Sequence, residues 1–543
     1  MQSKIYDAII VGTGASGGWA AKVLAEAGMD ILVLDAGPMP DPGHDFAHHE
    51  WPYQKDHRGV RIPGEPFGDP DKLPLFWRNH PDHPFTTPPD KPFSWGRSRV
   101  VGGRTLHWSR ATHRLTDFDF KAARDGLSEN WPISYKEIAP FYDRVEAHIG
   151  VAAYKEGFEQ LPDGPFLPGM PYNCVETILL STARKLGLDA THRRIAQLSK
   201  PHNGRPKCHF CGACRDGCDI GAMFNSLVST LPGATASGNM TLRPNSVVRS
   251  VLTGSDGLAT GVSYLDRLTK TEYEARGKQI ILAASTLEST RILLNSSKDG
   301  LGNSSGTLGR YLMDQIAGAS VSGFLPQLKG GPARNDDGKS SGMFIPHSTF
   351  RPDPKRDFIG GFCMSGNGGQ REFPAHALST PGYGLSYKEA VRERYPAAAR
   401  VYMSAGDMLP QAKNRCEINP DQVDAWGIPT LKIICEHGEN DRRLFRAGLM
   451  QIQEVMDAAG AEEMVVRDRM SPPGGLIHEV GSCRMGSDPK TSVLDPFCRM
   501  HDVKNVYVFG GSPFVTTGAH HPTLTIMALT VRGSEHLIEQ TKA

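Results

Sequence analysis

Ala8-Ile-Ile-Val11 runs into Gly12-Thr-Gly14-Ala-Ser-Gly17-Gly18 and then into Trp19-Ala-Ala-Lys-Val-Leu-Ala-Glu-Ala-Gly28; a second apolar run, Ile31-Leu-Val-Leu34, stops at Asp35. The order is strand, glycine turn, helix, strand, acid. A lone glycine pattern is weak, but this order has a mechanism. Glycines let a strand turn sharply into a helix, and the helix N-terminus offers unpaired N–H groups to a pyrophosphate. Asp35 stands where an acid takes a ribose hydroxyl. The stretch therefore predicts a Rossmann-like α/β unit that binds a dinucleotide through Gly12, Gly14, Gly17 and Asp35. It does not by itself separate FAD from NAD(P).

The far end of the chain returns to the same unit. Asn505-Val-Tyr-Val-Phe509-Gly510-Gly511 reads as another buried strand ending in glycines, and a helix starts at Pro522-Thr523-Leu-Thr. Gly511, Pro522 and Thr523 are expected to touch the cofactor. At 543 residues the chain predicts two domains. Sixty basic residues against 59 acidic ones, a net charge of +1, imply no nucleic-acid or other polyelectrolyte partner. No apolar run is long enough to span a membrane. Met1-Gln-Ser-Lys leads straight into the first strand, without a signal segment of its own.

Four cysteines crowd together at Cys208, Cys211, Cys214 and Cys218, spaced C-x2-C-x2-C-x3-C. That is the bacterial iron–sulfur run. Zinc sites present two Cys pairs across a longer spacer, and disulfides within so short a loop would staple almost nothing. The cluster is the better reading, and it implies electrons leaving one at a time.

Beyond these local signals, several strings together resemble the glucose–methanol–choline (GMC) family of FAD oxidoreductases. They are the opening fingerprint, Val100-Val-Gly102-Gly103-Arg-Thr-Leu-His107-Trp108, Leu308-Gly-Arg-Tyr-Leu-Met-Asp-Gln315, His478-Glu-Val-Gly-Ser-Cys-Arg484-Met-Gly486 and Gly518-Ala-His-His521-Pro-Thr-Leu-Thr525. Two branches are most similar: pyranose oxidase-like enzymes, and the large subunits of bacterial iron–sulfur sugar dehydrogenases. The resemblance implies an α+β / α/β architecture with a discontinuous FAD domain (1–45, 200–315 and 471–543, including an iron–sulfur loop at 206–220). Residues 46–199 would supply FAD-covering and connecting segments, and a sheet-and-helix domain (316–470) would hold the substrate.

The same resemblance implies site roles. His478 would be the base that takes the hydroxyl proton, since histidine titrates near neutrality, and His521 would orient that hydroxyl. Gly102 and Gly103 would let backbone approach the flat flavin ring. His107 would pack against the ring or carry a covalent bond to FAD. Gln315 would contact sugar hydroxyls. The related dehydrogenases hold a three-iron cluster on the counterparts of Cys208, Cys214 and Cys218. Cys211 is then a bystander to a 3Fe-4S cluster or the ligand that makes it 4Fe-4S.

Taken together, the expected function is oxidation of a secondary hydroxyl of a pyranose, carbon 3 of a glucoside by preference. Electrons would pass through the cluster to a cytochrome c or quinone. An oxygen-using oxidase and a non-enzymatic electron relay are the alternatives. A small signal-bearing subunit would carry the folded chain to the periplasm; otherwise the enzyme is cytoplasmic.

Overall fold

A computed structural model describes residues 4–46, 76–77, 81–126, 128–211, 214, 217–332, 342–351, 353–368, 377 and 380–542. Parts of the expected covering segment (47–75, 78–80 and 127), of the cysteine loop (212–213 and 215–216) and of the substrate domain (333–341, 352, 369–376 and 378–379) lie outside the described residues.

The first sheet begins with the stretch quoted above. Ile5–Val11 and Ile31–Leu34 are nearly all buried, as parallel strands covered on both faces must be. They pair with each other, Ile31–Leu34 pairs with Met240–Arg243, and Ile5–Val11 pairs with Glu272–Leu282, all in parallel. The eleven-residue strand Glu272–Leu282 does two things. Its first half pairs antiparallel with Ala259–Asp266, which continues to Ser246–Thr253. Its second half runs between Ile5–Val11 and Val506–Val508, again in parallel. The sheet thus draws its strands from 5–34, 240–282 and 506–508, three pieces far apart in sequence.

Register aligns the carboxyl ends of the parallel strands: Val11 is level with Leu34 and Leu282, and Leu282 with Val508. Gly12, Asp35, Ala283 and Phe509-Gly510-Gly511 therefore emerge along one edge. Open α/β sheets bind ligands just outside such an edge. The helix Ala15–Glu26 packs against the C-terminal helix Thr523–Lys542, which also packs against Tyr135–Ile149.

The second sheet is antiparallel throughout, in the order Glu462–Arg467, Ser320–Phe324, Ala398–Gly406, Phe362–Gly368, Met343–Ile345, Thr191–His192. The helices Glu439–Ala458 and Cys174–Lys185 cover one face, over Val401 and Met403. Tyr402 and Ser404 alternate with these and face the other way, into the cleft between the sheets. Five of these strands come from the expected substrate segment, while the edge strand Thr191–His192 belongs to the segment 46–199, expected to cover the flavin and to connect.

Candidate active site

Gly12 adopts φ +99°, and a Cβ there would stand 2.5 Å from the Ala283 carbonyl oxygen. A Cβ on Gly17 would meet the Gly12 carbonyl oxygen at 1.9 Å. These two glycines let helix and strand touch. Gly14 is different: a Cβ there finds nothing within 4 Å, because it would stand in the cleft.

Asp35 accepts from the Thr13 amide at 3.1 Å, from its hydroxyl, and from the Gly37 amide at 2.9 Å. Burial pushes its carboxyl up to about 6. The Thr13 hydroxyl in turn accepts from the Gly102 amide at 2.8 Å, tying the second glycine motif to the first. Here one expectation changes. Gly102 has φ +98° and packs against Leu106 and Leu227, outside the cleft lining, so glycine is needed there for the turn. Gly103 does line the cleft, where its Cβ would come within 3.4 Å of the Gly14 Cα.

The cleft is a cavity of about 390 Å³ running from Asp35, past Gly14 and Gly103, to His478 and His521. Its nucleotide end has the glycine loop, a helix N-terminus and a carboxylate; its walls along the middle are Gly511, Pro522 and Thr523. These residues fit an extended dinucleotide, and Gly14 is where a side chain would fill its path. His107 lines the same stretch, its Nε2 2.6 Å from the Ser98 hydroxyl.

At the far end the chain brings three of its motifs together. The Gln315 side-chain amide donates to the carbonyls of Gly518 (2.6 Å) and His520 (2.7 Å). Its Oε1 is thereby the atom 2.7 Å from His478 Nδ1. An amide oxygen only accepts, so Nδ1 carries the proton and Nε2 keeps the lone pair. Asp314 accepts from the backbone amides of Leu476 (3.0 Å) and His478 (2.9 Å), fixing the loop that presents the ring. Gln315 is therefore not the substrate contact anticipated for it. Its polar atoms are spent on protein partners, it is buried, and it does not line the cleft.

His478 and His521 lie edge to face with ring centres 5.3 Å apart. Burial, helped by the Arg104 charge, holds the His478 imidazole down at about 3, so it is neutral at ordinary pH. His521 is also held well below the usual value, first by burial and then by His478 and Arg193. Its Nδ1 lies 3.1 Å from Nδ1 of His113, whose ring stacks on Phe344 at 4.0 Å. His520 points elsewhere, its Nδ1 donating to the Arg114 carbonyl at 3.1 Å.

Several residues at this end are assigned no role from the sequence. Arg104 pairs with buried Glu479 at 2.8 Å, bridging the two motifs beside His478. Arg193, Tyr402 and Ser404 line the cleft from the second sheet. These three belong to no spaced pattern and become visible only once the strands are paired.

The cysteine loop lies against Ala152, Met170, Ile195 and Ala222, with Cys208 and Cys214 buried and Cys211 exposed. Cys208 Sγ accepts from the Gln197 amide nitrogen (3.0 Å) and the Phe210 backbone (3.3 Å), and Cys218 Sγ from Met223 (3.5 Å). Burial and the neighbouring sulfurs raise the Cys208 thiol to about 11. N–H donors to sulfur are what a bound cluster uses. Yet among the described residues no three Cys, His, Asp or Glu side chains are gathered to hold a metal ion.

Residues 6–317 and 410–530 match the two models of the GMC oxidoreductase family. The chain is 30% identical to 2-methyl-1,2-propanediol dehydrogenase of Mycolicibacterium austroafricanum, over 98% of this chain and 95% of that one. It is 27% identical to the fructose dehydrogenase large subunit of Gluconobacter japonicus, over 99% and 98% respectively. In fold it is similar to an FAD-dependent oxidoreductase from Chaetomium thermophilum, with a TM-score of 0.65 at 16% identity over 99% of this chain and all of that one. Matched in both halves, and with its glycine loop, paired histidines and C-terminal strand converging on one cleft, the chain belongs to the GMC oxidoreductase family.

Proposed function

We propose that the protein is an FAD-dependent dehydrogenase that oxidises a secondary hydroxyl of a pyranose sugar or glycoside, with carbon 3 of a glucoside as the preferred position. The observation that carries the reading is the tautomer of His478, which Gln315 fixes with the basic nitrogen unspent. FAD bound in the cleft supplies the hydride acceptor. His478 Nε2 takes the hydroxyl proton as the carbon–hydrogen bond weakens. We take His113 Nδ1 as the donor in its 3.1 Å contact with His521 Nδ1; His521 then carries its proton on Nε2 and donates it to the substrate oxygen, stabilising the developing negative charge. The diol and fructose dehydrogenases among its relatives support a CH–OH donor.

The electron outlet in this reading is the cysteine loop. Trp108, which lines the cleft, donates its indole N–H to the Phe224 carbonyl at 2.9 Å, and the chain leads from there back to Cys218. A 3Fe-4S cluster on that loop, with a small signal-bearing subunit and a cytochrome c or quinone beyond it, completes the proposal. Periplasmic location by co-export belongs to the same proposal.

The test is anaerobic reduction of the flavin across a panel of sugars and glycosides, with the oxidised position determined by NMR. Peroxide formation measured against dye reduction separates a dehydrogenase from an oxidase. A flavin that no sugar bleaches would end the reading.

A further inference from the structure

The substrate end of the cleft holds a cation with no counter-charge among the described residues. Arg193 is 4% exposed, follows the edge strand Thr191–His192 and lines the cleft together with Tyr402, Ser404, His478 and His521. Its Nη2 donates to the hydroxyls of Ser365 (2.5 Å) and Tyr402 (2.7 Å), which face each other across neighbouring strands. Its Nε–H is enclosed without an acceptor, and Nη1 has no hydrogen-bond partner among the described residues. No carboxylate of the described residues stands within ion-pair distance of it. The adjacent Arg194, by contrast, pairs with Asp163 at 2.6 Å.

A buried charge left unpaired is costly, and proteins pair it or use it. The other charges lining this end of the cleft, Arg104 and Glu479, are paired with each other at 2.8 Å, and the Tyr402 phenol, the Ser404 hydroxyl and the imidazoles of His478 and His521 are neutral. The two hydroxyl anchors hold the guanidinium still, which reduces the entropy a ligand must remove. A guanidinium held in this way matches a carboxylate, to which its N–H groups give short, charge-assisted bonds.

We propose that the sugar or glycoside oxidised by this enzyme also carries a carboxylate, as a sugar acid does, and that Arg193 holds that carboxylate while the hydroxyl to be oxidised lies between His478 and His521. The substrate class rests on the alcohol-oxidising reading above. The anion site itself is tested independently of it.

The test uses FAD-loaded enzyme and two ring compounds that cannot be oxidised there, cyclohexanecarboxylate and its neutral isostere cyclohexanecarboxamide, titrated by calorimetry. In the wild-type protein the carboxylate is expected to bind at least tenfold more tightly. Arg193→Gln should bring the two affinities within about twofold of each other, and Arg193→Lys, which keeps the charge, should recover part of the preference. Equal affinity for the two compounds in the wild-type protein overturns the proposal, even if Arg193→Gln fails to fold. So does Arg193→Gln retaining the full preference. Anaerobic flavin bleaching by glucuronate and gluconate against glucose then reads the substrate class. Bleaching by none of them counts against the alcohol-oxidising reading, whereas a clear calorimetric preference without bleaching leaves the anion site standing.

Discussion

Gln315 Oε1 accepts from His478 Nδ1 at 2.7 Å, and because the same amide donates to the carbonyls of Gly518 and His520, it cannot turn over. One side chain thus joins the loop carrying His478 to the loop carrying His521 and sets the proton on the former. Gln315→Leu should retain flavin but lower the anaerobic rate of flavin reduction by about 10²-fold, because the base then samples the wrong tautomer.

The pH profile gives a second check on this contact. His478 is held at about 3, so its base form is present above that pH and is lost only as pH falls through it. Gln315→Glu places a negative charge against Nδ1–H, which favours the imidazolium and raises the value. The acid limb of kcat/KM should therefore move to higher pH by about one unit or more. An unmoved limb would mean that another group sets it.

His113 and His521 form the second contact that acts through a neighbour. His113→Phe keeps the stack on Phe344 and removes the partner of His521 Nδ1. The expected result is a fall of about tenfold or more in the reduction rate with KM changed much less, since the lost interaction is made to the transition state. Rapid-reaction traces under anaerobic conditions separate the two.

Glycines of the opening motif should fail in different ways. Gly17→Ala forces a Cβ into the Gly12 carbonyl, so the apoprotein itself should lose about 3 kcal/mol or more, seen in denaturant unfolding. Gly14→Ala meets no protein atom within 4 Å, so the apoprotein should unfold as the wild type does while FAD retention drops sharply. The comparison needs no substrate.

Iron analysis addresses the cysteine loop. Cys208→Ser and Cys218→Ser remove sulfurs that accept N–H bonds, and Cys214→Ser removes a third, buried one. Each should strip the iron, whereas Cys211→Ser, at the exposed position, should keep a cluster that is paramagnetic when oxidised. Iron-free wild-type protein would remove the cluster from the account.

The parallel sheet was legible because each signal lay within one short stretch. Val11-Gly12 and Leu34-Asp35 show strand, turn and acid side by side, and a four-residue apolar run needs no partner to be recognised. His478 and His521 were legible because each sits inside a distinctive string. Arg193 and Tyr402 were not, since their proximity depends on the pairing of Thr191–His192 and Ala398–Gly406 within a sheet of strands far apart in sequence. Gln315 was found but misassigned. Amide chemistry suits sugar hydroxyls and backbone carbonyls equally, and only the packing of Gly518 and His520 against it decides. Gly102 likewise needed its backbone conformation, which sequence names only as an absence of Cβ.

The most direct measurement of the central claim is the anaerobic flavin reduction rate of His478→Ala, with whichever substrate bleaches the wild-type protein. If His478 is the base, the rate falls by about 10²- to 10⁴-fold at unchanged flavin content. A rate within tenfold of the wild type would contradict the account, because the neutral imidazole that Gln315 orients would not then be taking the proton.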